Sequence, residues 1–378
     1  TTATTPTTPT SPTTATSPTT ATTANDGAGS SDLGVDRAST GGPLLISDAQ
    51  PPPLPPLSAR ANIGYDRGLY IGTADDAFRL WIGGRLQLRR QVDDFAGETA
   101  RGFSLPSARF GVRGHAFIDT DVALSVDVQT GTATLADAYV DTPMRFAHMR
   151  LGHHKPMVMR QSMIALDSLI GAERSLTTIL EPTNRELGVT IHSGDHDRAG
   201  VRWALGYFDG APGTAEALPT TTARLGYESH KLGGLDEADR DGGPVRFGFA
   251  AAIRSRYLDG FSAIAHTATV DAVVKAYGLA LHGALVYRSL PTSGDRANEW
   301  GAHGAVGYMH MPERLEFNLR AAQVGVPASA RMRQEFSAGA TFYMHGHAQK
   351  MGFESGVQRL TGADGVDWFA RAQAQLLF

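Results

Sequence analysis

Side chains able to bind charged solutes recur along this chain at a spacing of two. Arg79, Arg85, Arg89, Arg109, Arg113, Arg150 and Arg202 each sit opposite apolar residues in alternating segments, and Arg246, Arg254, Arg320 and Arg371 continue the pattern. A guanidinium group is permanently charged and can hold a carboxylate or phosphate through paired hydrogen bonds. Asp127, Asp137 and Asp141 alternate in the same way, while Lys155, Glu173 and Arg174 fall in a long stretch without alternation. The spacing predicts a basic stripe from Arg79, Arg85, Arg89, Arg109 and Arg113 on two adjacent strands. Asp127, Asp137, Asp141 and Glu173 are expected to form an acidic wall across from it, and Arg150, Lys155, Arg174 and Arg202 complete the candidate anion-binding set.

Other chemistries fit less well. His192-Ser-Gly-Asp-His-Asp197 resembles a metal-binding turn, and His153-His154 and His345-Gly-His347 offer further imidazoles. A metal site needs three or four ligands converging at fixed distances. Gly, Asp and His are also ordinary residues of a tight turn, so no metal and no cofactor is expected. His153-His154, at the start of the long stretch, offers a pH-dependent contribution to gating. There is no Gly-x-Ser-x-Gly elbow, and the exposed serines have no histidine at a suggestive spacing, so the chain reads as a non-enzyme.

The elements that must carry these residues are β-strands. Val366 to Phe378 places Val366, Trp368, Ala370, Ala372, Ala374, Leu376 and Phe378 on one face and Asp367, Arg371, Gln373 and Gln375 on the other. With a side-chain period of two, one face can meet lipid and the other water. Comparable alternation begins at Phe78 and gives sixteen candidate strands. Connections after the even-numbered strands are short, as periplasmic turns should be, apart from His230 to Pro244; the opposite set is longer. The fold class expected is therefore an all-β, sixteen-stranded antiparallel transmembrane barrel, wide enough for an aqueous channel. His153 to Asn184, the third loop of the longer set, carries Met157, Met159, Met163, Ile164 and Leu166, which need burial, so it is expected to fold into the lumen as the constriction.

Composition agrees. The chain has no cysteine and no run of about eighteen apolar residues, and its mean hydropathy is −0.19, which excludes a helical membrane protein. A net charge of −4 gives no basic field for nucleic acid. Residues 1–60 are dominated by Thr, Pro, Ala, Ser and Gly and read as a disordered periplasmic tail, a spacer or the ligand of a cell-wall or periplasmic partner. Residues 61–378 form the barrel domain. No basic n-region and apolar h-region opens the chain, so an exported protein would be numbered here from after signal-peptide removal.

Gly83-Gly-Arg-Leu-Gln87, Ala108-Arg-Phe-Gly111, Ala136-Asp-Ala-Tyr-Val-Asp141, Met149-Arg-Leu-Gly-His-His-Lys-Pro156, Glu173-Arg174 and Asn184-Arg-Glu-Leu-Gly-Val189 together resemble the phosphate-selective porin O and P family, in order along Phe78 to Phe378. The resemblance implies a trimeric outer-membrane porin for anions, with basic residues guiding solute to an inward-folded loop. The family's phosphate-specific members carry several pore lysines; Lys155, Lys231, Lys275 and Lys350 are the only lysines here, which sets phosphate specificity in doubt. The reading is passive diffusion of small hydrophilic solutes, anions such as phosphate among them, through an arginine-lined pore in the bacterial outer membrane. Its expected partners are those solutes, outer-membrane lipid and two further copies of the chain. The alternative is a structural barrel that anchors the tail to the cell wall.

Overall fold

The computed structural model describes residues 61–378 except 66–67, 74–76, 96, 117–118, 130, 183, 195–198, 210–218, 233, 259–262, 293–295, 326–330 and 364. The tail assigned to residues 1–60 lies outside the described residues. The strands are β1 (Ala61–Tyr65), β2 (Leu69–Thr73), β3 (Phe78–Phe95), β4 (Glu98–Ala116), β5 (Thr120–Gln129), β6 (Thr132–Pro143), β7 (His148–His154), β8 (Glu186–His192) and β9 (Gly200–Phe208). They continue as β10 (Thr220–Glu228), β11 (Arg246–Leu258), β12 (Ala263–Ala276), β13 (Leu279–Pro291), β14 (Arg296–Met311), β15 (Leu315–Gly325), β16 (Met332–His345), β17 (Gln349–Leu360) and β18 (Asp367–Leu377). No described helix is long and apolar enough to cross a membrane.

From β3 onward each strand pairs antiparallel with the next, and β18 pairs back onto β3 from Trp368↔Asp94 to Leu377↔Arg85. Sixteen strands thus close a barrel with no free edge, which removes the unpaired backbone groups that hydrocarbon would not tolerate. Closure is completed at Phe378. Its N–H donates to the Gly84 carbonyl at 3.1 Å, and its carbonyl accepts from the Gly84 N–H at 2.6 Å. A Cβ on residue 84 would lie 2.7 Å from the Arg109 carbonyl oxygen and 2.8 Å from the Phe378 ring, so only glycine fits.

The sequence reading missed one element. β1 and β2 form a hairpin whose second strand pairs with Arg79–Ile82 of β3, on the same edge of β3 that β18 occupies higher up. Each hairpin strand has five residues, too few for the alternation to register.

Alternation sorts the side chains as a membrane requires. Leu86, Leu124, Leu205, Phe249, Leu285 and Phe353 face outward and are half exposed, a belt that lipid would cover. Most of the buried side chains on the inner face are polar, among them Arg85, Gln87, Arg89, Arg254, Glu316, Arg320 and Glu354. Two irregularities adjust the inner face near the site. Leu105 and Pro106 oppose the single residue Leu88, a bulge that accommodates the proline's missing N–H. The other irregularity lies between Ser125 and Val126, opposite the step from Asp137 to Leu135. The β12–β13 turn is Tyr277-Gly278, both at positive φ (51° and 85°), as a two-residue hairpin turn demands.

Candidate functional site: an arginine-lined channel

Two loops enter the barrel from opposite rims. The segment 155–185 between β7 and β8 contains one α-helical turn, α1 (Arg160–Met163), and two 3-10 turns, and packs on the lumen wall of β13 to β15. Met159 and Leu180 cluster with Ala284, Val286 and Val324, and the Ile170 carbonyl accepts from Asn318 and Thr341. Its apolar residues Val158, Met159, Ile164, Leu169 and Leu180 are almost fully buried, which is why a loop of this composition leaves the rim. The segment 229–245, on the rim of short turns, also turns inward and buries Leu232, Glu237, Ala238 and Asp239.

What the loops leave open is a cavity of about 780 Å³, bounded by the inner faces of β3 to β12 and by segment 155–185. Nine arginine and lysine side chains line it, against four carboxylates, Asp127, Asp137, Glu228 and Asp271. The sequence anticipated six of these cations: Arg85, Arg109, Arg150, Lys155, Arg174 and Arg202. Arg160, Arg185 and Arg224 were missed, although Arg224 shares the inward parity of Thr222 on β10 and was legible by alternation.

The remaining expected residues lie elsewhere. Arg79 stacks between the Tyr70 and Trp81 rings, 5.1 and 5.2 Å from their centroids, where β2 meets β3. Arg89 is buried and pins the loop to the wall through Glu173, the Ala172 carbonyl and Gln373. Arg113 is exposed on β4 away from the cavity.

The expected confrontation of a basic with an acidic wall is not what forms. Asp127 and Asp137 stand beside the arginines. Arg109 reaches Asp127 at 2.9 Å and Asp137 at 3.5 Å, and Arg185 reaches Asp137 at 2.6 Å. Asp141 takes Arg150 at 2.6 Å and His192 at 3.0 Å, and Glu173 takes Arg89. Adjacent strands put these residues within reach of one another, and a buried charge next to an opposite one is held there. Deeper in, Arg160 and Arg202 share Glu228 at 2.9 and 3.4 Å, and Arg224 takes Asp271 at 2.7 Å.

Lys155 and Arg174 differ from all of these, because their side chains hydrogen-bond to backbone carbonyls. Lys155 Nζ donates to the carbonyls of Ser162, Met163 and Ile164 at 2.8, 3.4 and 3.2 Å. Arg174 donates to Gln161 O at 3.1 Å and also to Ile164 O. These carbonyls end α1, where unsatisfied oxygens attract cations. Burial, then the neighbouring Arg174, lowers the Lys155 ammonium to about 6, while burial lowers Arg174 to about 10. Both side chains thus converge on the Ile164 carbonyl beside the cavity.

Two of the histidines singled out by the sequence are held by hydrogen bonds within the barrel. His154 bonds Gly152 O at 3.0 Å and Thr190 Oγ1 at 2.8 Å, and His347 bonds Asp236 at 3.0 Å. Among the described residues no three His, Asp or Glu converge as metal ligands; residues 195–198 of the histidine-rich turn lie outside them.

No family model and no curated protein matches the sequence. Solved structures do match the fold. The anion-selective porin from Comamonas acidovorans superposes with a TM-score of 0.59 at 12% identity, over 80% of this chain and 100% of that one. The outer-membrane channel DcaP of Acinetobacter baumannii gives 0.55 at 12%, over 81% and 99%, and the trimer form of OmpT from Vibrio cholerae 0.55 at 11%, over 79% and 100%. A closed barrel with an outward apolar belt, a polar lumen and an open cavity has the fold of the bacterial outer-membrane porins.

Proposed function

We propose that this porin passes small anionic solutes in preference to cations. The observation that carries the reading is the pair Lys155 and Arg174 at the cavity, hydrogen-bonded to backbone carbonyls, with Arg174 charged throughout and Lys155 charged below about pH 6. Around them the charge is unbalanced. When Asp141 and Asp167, the partners of Arg150 and Arg85, are added to the four lining carboxylates, the described cations remain in surplus by three with Lys155 protonated and by two without it, and Glu237 offsets part of the Arg174 charge. Surplus fixed charge in a narrow, partly desolvated path concentrates counter-ions and repels co-ions.

Phosphate and small carboxylates both suit the site, since each accepts paired guanidinium hydrogen bonds. The resemblance to phosphate-selective porins belongs to this reading, with arginine in place of most of that family's lysines. A homotrimer belongs to it as well. Ala272, Gly283, Gly304 and Ala321 pair in a row across the outward faces of β12 to β15, and small side chains permit close approach of another copy. Residues 1–60 would serve as a periplasmic spacer. Planar-bilayer recording tests the core of the reading: phosphate added at low concentration should reduce chloride current, and chloride current indifferent to phosphate would count against an anion-binding path.

A further inference from the structure

The two inward loops meet: Arg160 donates to the Gly234 carbonyl, and the carboxylate of Glu237 spans the centre of the junction. Glu237, on segment 229–245, is buried; its Oε2 accepts from Ile170 N at 3.0 Å and its Oε1 from Gln161 Nε2 at 3.2 Å. Its own N–H donates to Ser168 O at 3.1 Å. The same segment is fastened to the barrel on either side of Glu237. Asp236 takes His347 at 3.0 Å, and Asp239 takes Arg246 and the Gly278 N–H. Ala238 packs against Ile170 and Ala305 of β14.

Gln161 passes the constraint on toward the channel. Its side-chain oxygen accepts from the N–H and hydroxyl of Ser175 at 3.1 and 2.7 Å, and its backbone carbonyl accepts from Arg174 Nε. A side chain held at both ends by buried hydrogen bonds has little freedom to re-aim.

We propose that Glu237 is a positioning residue for the pore: anchored on the periplasmic-side loop, it fixes Gln161 and Ile170 so that segment 155–185 holds Arg174 and Lys155 at the channel. Channel width and solute preference are then set from both rims. The inference rests on the anion-passing reading for its selectivity arm, and on geometry alone for its conductance arm.

Glu237→Ala, checked for a folded barrel by its heat-modifiable mobility on a gel, is expected to conduct more in single-channel recording. Its reversal potential in a KCl gradient should move toward zero. Gln161→Ala should act in the same direction, and the double variant should add little to either single one. Glu237→Gln keeps an acceptor for Ile170 N and is expected to fall between wild type and Glu237→Ala. A second pair, Ile170→Cys with Ala238→Cys, reads the junction in a chain that has no other cysteine. Oxidation should crosslink it and, in the Glu237→Ala background, return conductance and reversal potential to wild-type values. A folded Glu237→Ala protein with wild-type conductance and reversal potential would overturn the proposal, as would failure of the cysteine pair to crosslink. A wild-type pore without anion preference would instead remove the functional reading and leave the conductance arm standing.

Discussion

Replacing Arg174 by Gln removes the permanently charged member of the two basic side chains that converge on the Ile164 carbonyl, yet leaves an amide able to donate to Gln161 O or Ile164 O. The loop should therefore keep its path while the channel loses charge. An anion passing the site would stand about 5 Å from the guanidinium; with an effective dielectric of roughly 20 to 80, the lost attraction is about 1 to 3 kcal/mol. That corresponds to a fall of about 5- to 150-fold in anion occupancy at this point. Arg174 lines the cavity and is half-buried, which argues for the middle of that range. Since burial lowers its pKa only to about 10, the guanidinium carries its charge at any ordinary recording pH. The assay is the ratio of chloride to potassium permeability from reversal potentials in a KCl gradient, compared between wild type and Arg174→Gln of equal heat-modifiability. A folded variant with the wild-type ratio would show that the ion path does not run past Arg174, and the reasoning from carbonyl-bound cations would fail.

Three further expectations follow from the same geometry. Because the folded-state pKa of Lys155 is lowered to about 6, its charge is present below that pH and is lost as pH rises through it. Anion preference should thus fall between about pH 5 and about pH 8 in wild type and stay flat in Lys155→Met, as read from reversal potentials across the series. Gly84→Leu would drive a side chain into the Arg109 carbonyl and the Phe378 ring, so barrel closure should suffer, with the heat-modifiable folded band lost or much reduced after refolding. Deleting residues 1–60 should leave single-channel conductance unchanged; a collapse of conductance would favour the anchor reading of the tail.

Much of the barrel was legible because lipid and water impose a period of two on every strand. All sixteen barrel strands from β3 to β18 coincide with segments expected from alternation, differing mainly at their ends. β4 begins at Glu98, and its upper part slips parity at Leu105-Pro106 and so hides from a strict two-residue pattern. The inward course of 155–185 was legible from its methionines and Leu166, which no exposed loop would keep in water. The second inward loop was not. Its stretch Leu235-Asp-Glu-Ala-Asp-Arg240 reads as a solvated turn, and only partners such as Gln161, Arg246 and His347, remote in sequence, make its carboxylates burial-competent. The same limit applies to charge. Parity placed Arg109, Asp127 and Asp137 in the lumen, but it could not tell that they neighbour one another, because that depends on strand register.

The central claim is that surplus cations beside Lys155 and Arg174 make this barrel a path for anions. Its most direct test is the zero-current potential of the wild-type protein in a planar bilayer under a KCl gradient. The account predicts a potential displaced toward the chloride equilibrium value. A value near zero, or one displaced toward potassium, at an undiminished conductance would contradict it and leave a general porin whose arginines are fully balanced by their carboxylate neighbours.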